Sequence, residues 1–117
     1  DQPWFLNLVV ECETRCFPLQ LLAVLQKIER DMGRVRTPGG VRRGPRIIDI
    51  DILLFGNICI DTPQLVVPHP RMLDRRFVLE PLVEIAPDIR HPGTKELISK
   101  SLRNVTQQRV RKLSLAT

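Results

Sequence analysis

The sequence contains no tyrosine, one tryptophan and four phenylalanines in 117 residues. Single-stranded nucleic acids are bound on exposed aromatic platforms, and little here could build one. Cysteine is scarce too. Cys12, Cys16 and Cys59 are odd in number and too few for a disulfide scaffold, so a reducing, cytoplasmic setting is expected. No apolar run approaches the roughly 18–20 residues of a membrane helix. No basic-then-apolar leader is visible, so neither a membrane span nor a signal peptide is expected. A Walker-type GxxxxGK-S/T run is missing as well, which excludes a P-loop.

What is present suits one soluble domain: 43% apolar and 26% charged residues, in a chain long enough for one core. The net charge is +5. A basic small domain invites a nucleic-acid reading, but the charge is concentrated. Residues 34–46 hold five arginines and no acid, and residues 97–117 hold five basic residues and no acid. The rest carries eight basic against thirteen acidic groups, a net of −5, which weakens that reading.

Trp4 to Glu13 alternates, with Leu6, Leu8, Val10 and Cys12 on one face, which predicts a half-buried strand. Pro18 opens a helical pattern through Leu21, Leu22, Leu25, Ile28, Glu29 and Met32, and Gly33 suits its stop, giving a helix over 18–32. The run 34–46 is rich in Gly and Pro and reads as a loop. Residues 46–55 form the most apolar strand candidate. Gly56-Asn57 is a turn signal, Ile58 to Ile60 a returning strand, and Leu65 to Val67 a further extended piece. Helices are predicted over 77–85 and about 94–104. The order points to an α+β fold with a mostly antiparallel sheet.

The sharpest chemistry is Asp49-Ile50-Asp51. Residues two apart on a strand share a face, so two carboxylates stand roughly 7 Å apart in an oily segment. Hard divalent cations such as Mg²⁺ suit that pair; two solvent-facing acids, or partners for the nearby arginines, are the plainer alternative. The arginine loop ends three residues before Asp49. Arginine forks match phosphate oxygens, so acids and loop together resemble the needs of a nucleoside-triphosphate site. A solvated surface loop, or a nucleic-acid contact, is the plainer reading. His69 sits between Pro68 and Pro70 and precedes Arg71, Arg75 and Arg76, a second basic cluster that a ligand or plain surface chemistry would equally explain. His91 reads as structural. Cys12 and Cys16 lack the further ligands a zinc site needs.

The segments DQPWFLN at 1–7, IERDMGRVR at 28–36, RGPRIIDIDILLFG at 43–56 and VPHPRMLDRRFVLEPLVEIAP at 67–87 stand in the order found in one enzyme family. They resemble 6-hydroxymethyl-7,8-dihydropterin pyrophosphokinase of folate biosynthesis over about residues 1–100. The resemblance implies a ferredoxin-like sheet with helices packed on its faces. It implies transfer of pyrophosphate from ATP to the hydroxymethyl group of 6-hydroxymethyl-7,8-dihydropterin, with release of AMP. It implies two Mg²⁺ ions on Asp49 and Asp51, and catalytic arginines at Arg34, Arg36 and Arg46. Glu29, Arg46, Ile52, His69 and Arg75 match ATP contacts, and Phe5, Asn7 and Phe77 match pterin contacts. Fusion to, or association with, another folate-pathway enzyme is a further implication, with neither nucleic acid nor membrane as partner.

Several positions depart from the family pattern. Its first strand, with a Gly-Ser-Asn turn, would precede Asp1, so the 1–100 domain is expected to be N-terminally shortened. Residues 101–117 are expected to form a basic tail. Arg43 stands where many members carry Trp, Thr37 to Gly40 looks slightly long, and Phe5 replaces a commoner Tyr. A catalytically impaired fragment or fused domain of the same fold is the main alternative, and a basic ferredoxin-like nucleic-acid module is a weaker one.

Overall fold

The computed structural model describes residues 5–36 and 48–114, with backbone alone at 34–36. Two compact units emerge, one of Thr14–His69 and one of Asp1–Glu13 with Pro70–Thr117. Among the described residues, three α-helices, 3-10 turns and one two-stranded antiparallel sheet make an α+β protein.

In the first unit, helix α1 spans Pro18–Arg36. Pro18 takes the first helical position, where its missing N–H costs nothing. The Leu21 N–H closes the first bond onto the Phe17 carbonyl at 3.0 Å. The Gln20 side chain reaches back to accept the Phe17 N–H at 2.8 Å, the returning half of a capping box. Gly33 does not stop the helix. It lies buried within it, and the helix runs on to Arg36.

Residues 48–55 follow without regular secondary structure and without a ladder among the described residues. Gly56 turns the chain at φ +56°, a region glycine enters freely, and the Ile58 N–H closes the turn on the Phe55 carbonyl at 3.1 Å. Strand β1, Ile60–Asp61, does not return onto 48–55. It pairs antiparallel with β2, Val66–Val67, in the register Ile60 to Val67 and Asp61 to Val66. Thr62 closes that hairpin: its N–H and its hydroxyl both donate to the Leu65 carbonyl at 3.0 Å. Leu65 and Val67 are buried.

In the second unit, a 3-10 turn at Met72–Asp74 leads into helix α2, Arg76–Ile85. Val78, Leu79 and Leu82 form its buried stripe, and Arg76 pairs with Glu80 one turn on at 3.0 Å. Pro81 lies inside this helix and has no N–H to offer the Phe77 carbonyl four residues earlier. A second hairpin follows. Arg90 bridges Leu97, and the Lys95 N–H donates to the His91 carbonyl at 2.8 Å with Lys95 itself at φ +66°. The last helix is shorter than the periodicity suggested. Residues 94–97 complete the hairpin, α3 covers Ile98–Leu102, and a 3-10 turn continues through Arg103–Val105. The helix α2 packs on α3 and on the Met72 turn, with Met72, Leu79 and Ile98 essentially without exposure. Each such side chain contributes about 1.5–3 kcal/mol by leaving water.

The N-terminal segment 5–13 departs most from expectation. Leu6, Leu8 and Val10 are 79%, 73% and 68% exposed, and no ladder hydrogen bond involves 5–13 among the described residues. Alternation marks a segment able to be a strand. The ladder itself needs a neighbouring strand at about 4.8 Å, which alternation alone does not supply. No helix among the described residues is long and apolar enough to cross a membrane.

Candidate functional site

The segment carrying Asp49 and Asp51 keeps the alternation read from the sequence. Both aspartates are exposed, while Ile48, Ile50 and Ile52 between and beside them are half-buried. A long-range bond holds this segment. The Ile50 N–H, between the two aspartates, donates to Oε2 of Glu29 on α1 at 2.6 Å. A carboxylate acceptor makes that bond charge-assisted and strong. Glu29 thus fixes the backbone from which both aspartates project.

His69 comes to the same place. Its backbone N–H donates to the Leu53 carbonyl at 2.8 Å. Its Nε2 lies 4.0 Å from Asp51 Oδ2, too long for a hydrogen bond but close enough for charge to be felt. The Asp51 side chain is 60% exposed and that of His69 19%. Glu29, Asp49, Asp51, Ile52 and His69 therefore belong to one unit, tied by Glu29 and by the His69–Leu53 bond. Arg46 lies outside the described residues, as do the side chains of Arg34 and Arg36.

The other expected contacts lie in the second unit. Arg75 precedes α2, and its guanidinium carbon stands 5.6 Å from the centroid of the Phe77 ring, within cation–π range. Phe77 is 38% exposed and Phe5 78%. The Asn7 amide donates to the Phe5 carbonyl at 3.3 Å. Phe5 and Asn7 thus sit on the unladdered N-terminal segment, whereas Arg75 and Phe77 sit on a packed turn.

Two contacts have partners that the sequence does not name, although His91 itself reads as structural. Gln108 bonds the backbone on both sides of Arg75, a contact 32 and 34 residues long that no local pattern announces. His91 Nδ1 accepts the N–H groups of Gly93 and Thr94 at 3.0 and 3.1 Å, and partial burial lowers its pKa from the usual 6.5.

Among the described residues no cluster of three or more His, Cys, Asp or Glu could hold a metal on protein ligands alone. Two carboxylates on one segment suit Mg²⁺ nonetheless, because that ion keeps waters and shares its shell with substrate phosphates. The donor set of Asp49 and Asp51 therefore fits it.

The sequence matches the profile of 7,8-dihydro-6-hydroxymethylpterin-pyrophosphokinase (HPPK) over residues 1–87. The chain belongs to the HPPK family. It is 50% identical over 97 residues to a 2-amino-4-hydroxy-6-hydroxymethyldihydropteridine pyrophosphokinase of Pseudomonas aeruginosa, covering 83% of this chain and 58% of that protein. Identity to the protein of the same name from Haemophilus influenzae is 41% over 114 residues, covering 97% of this chain and 69% of the relative. The mitochondrial folate synthesis bifunctional protein of Arabidopsis thaliana is 49% identical over 85 residues, 73% of this chain and 15% of its own length. The chain thus spans about half to two-thirds of the pyrophosphokinase relatives and 12–16% of the long folate-synthesis proteins. All the expected site residues fall inside the HPPK match, and Gln108 falls beyond it.

Proposed function

We propose that the protein transfers the terminal pyrophosphoryl group of ATP to the hydroxymethyl oxygen of 6-hydroxymethyl-7,8-dihydropterin, in folate biosynthesis. In that reaction the hydroxyl oxygen bonds to the β-phosphorus. The bond from that phosphorus to the oxygen bridging the α-phosphate breaks, AMP leaves, and the hydroxyl proton passes to solvent. The observation that carries the proposal is the exposed Asp49-x-Asp51 pair, pinned at Ile50 by Glu29, inside a stretch matching the family.

Asp49 and Asp51 would hold two Mg²⁺ ions against the phosphates. When bound, Mg²⁺ neutralises phosphate charge and lowers the pKa of a coordinated hydroxyl. Glu29 sets the direction of the aspartates, and His69 and Ile52 border the nucleotide. Arg34, Arg36 and Arg46 match charge-neutralising arginines of the family. Arg75 takes a nucleotide phosphate, Phe5 and Phe77 stack on the pterin, and Asn7 reads its edge once released from the Phe5 carbonyl. No side-chain base is needed, so the rate comes from in-line positioning and charge stabilisation.

A ferredoxin-like sheet belongs to the same proposal, supported by the strand-like alternation of 5–13 and 48–55. Linkage to a second folate-synthesis activity is supported by the relatives named as bifunctional. The free state of Cys12, Cys16 and Cys59 fits a cytoplasmic location. The test is AMP production from ATP and the reduced pterin, with Mg²⁺-dependent binding of a non-hydrolysable ATP analogue. Asp49→Ala or Asp51→Ala is expected to abolish that binding; unchanged affinity in either variant overturns the metal assignment.

A further inference from the structure

We propose that Gln108 is a positioning residue for the turn that presents Arg75 and Phe77, an inference that rests on the ligand roles proposed for those two residues. Arg75 is the residue before α2, extended at φ −123° and ψ 107°, and its own side chain makes no capping bond. A helix start of this kind leaves N–H groups in need of acceptors. Gln108 supplies one from far along the chain: its Oε1 accepts the Arg76 N–H at 2.8 Å. Its Nε2 donates to the Asp74 carbonyl at 2.7 Å. A flipped amide would oppose donor to donor and acceptor to acceptor, so the pair of bonds fixes its orientation.

The amide thus pairs with the chain on both sides of Arg75, as a parallel neighbouring strand would. The groups of Arg75 itself are used elsewhere: its carbonyl accepts the N–H groups of Val78 and Leu79 at 3.1 and 3.0 Å. Both peptide planes flanking Arg75 are therefore held. Gln108 is held in turn, with its N–H on the Val105 carbonyl at 3.1 Å and its own carbonyl taking Arg76 Nη1 at 2.7 Å. The same Nη1 reaches the Thr106 carbonyl at 2.9 Å. Segment 105–108 and the start of α2 clamp each other, and the Arg75 guanidinium is left over the Phe77 ring. Gln108 sets where a phosphate-binding cation and a stacking ring stand, while touching neither ligand.

The experiment is a double-mutant cycle on the full 117-residue chain, read as calorimetric affinity for a non-hydrolysable ATP analogue with Mg²⁺. Gln108→Ala is expected to weaken binding about tenfold, as small misplacements of binding groups do. The double variant with Arg75→Ala is expected to be no weaker than Arg75→Ala alone, because Gln108 acts through Arg75. Gln108→Glu keeps the acceptor for Arg76 but loses the donor for Asp74, and is expected to recover part of the affinity. In nuclear magnetic resonance spectra of Gln108→Ala without ligand, the Arg75 side-chain and Phe77 ring signals shift while those of β1 and β2 stay in place. Full affinity in Gln108→Ala beside a weak Arg75→Ala, additive losses in the double variant, or unmoved Arg75 and Phe77 signals would each overturn the proposal. No loss in Arg75→Ala would instead overturn the ligand reading of Arg75, and the ligand-free spectra still decide whether Gln108 sets the turn.

Discussion

Replacing Glu29 by alanine removes the acceptor of the Ile50 N–H, a bond of 2.6 Å between two half-buried residues. A hydrogen bond to a charged group contributes about 1.5–3 kcal/mol, and a buried donor left without a partner costs a similar amount. Water reaches a half-buried site in part, so the expected destabilisation is about 2 kcal/mol. Loss of a carboxylate near Asp49 and Asp51 also relieves repulsion, but both aspartates are exposed, and between such charges the relief is a fraction of a kcal/mol. Glu29→Gln keeps an oxygen acceptor without the charge and is expected to cost about 1 kcal/mol. Urea unfolding followed by circular dichroism reads both. With a slope of about 2 kcal/mol/M, the alanine variant shifts the midpoint down by about 1 M and the glutamine variant by about half that. The alanine variant also loses affinity for the Mg²⁺-bound ATP analogue, because the aspartate segment is no longer pinned. A midpoint within about 0.2 M of wild type would refute the reasoning, since the Ile50 bond could not then hold the segment on α1.

Stability of the 89–98 hairpin should fall in acid. The folded pKa of His91 is lowered from 6.5, so below that value the unfolded chain binds more protons, and stability present above about pH 6.5 is lost as pH drops. Amide exchange at Gly93 and Thr94 across pH 5–8 checks the sign, and faster intrinsic-corrected exchange at high pH would contradict it. Lys95 holds a left-handed φ of +66°, so Lys95→Gly is expected to raise stability by about 0.5–1 kcal/mol in thermal melts. Gly93→Ala is expected to destabilise, since its Cβ would meet His91 Cε1 at 3.0 Å and Nδ1 at 3.2 Å. Lys112→Ala breaks a 2.6 Å pair with Glu84 whose side chains are 70% and 55% exposed, so the change in melting stability is expected to stay below about 1 kcal/mol and to shrink further with salt.

Local order was legible where local chemistry decides it. Pro18 marks the start of α1 and Gly56-Asn57 the turn, each through backbone constraints carried by single residues. The alternation around Asp49 and Asp51 survived because which face a side chain takes depends only on extended backbone. Pairing was not legible. The periodicity of 5–13 and 48–55 says which residues share a face, but not which chain lies alongside, and β1 paired forward with β2 instead of back onto 48–55. Gly33 misled because a buried glycine in the last turn of a helix looks, in sequence, like one just past its end. The 94–104 helix shortened because Leu97 was claimed by its bridge to Arg90. Within the candidate site, the motifs name the expected residues, whereas the bonds that support them, Glu29 on Ile50 and Gln108 around Arg75, are tertiary and without a sequence period.

The exposed segment 5–13 has a consequence for how the protein behaves at high concentration. It presents Phe5, Leu6, Leu8 and Val10 to water beside backbone groups that lack a ladder among the described residues. Open, apolar strand edges template sheet growth between molecules. Opposing that adhesion is the net charge of +5, which makes copies of the chain repel. The two influences respond oppositely to ionic strength, since added salt screens the repulsion while excluded salts such as sulfate strengthen apolar contact. Solubility should therefore decline steeply with sulfate, and the colloidal state of the protein is set by a balance between one short segment and the charge of the whole chain.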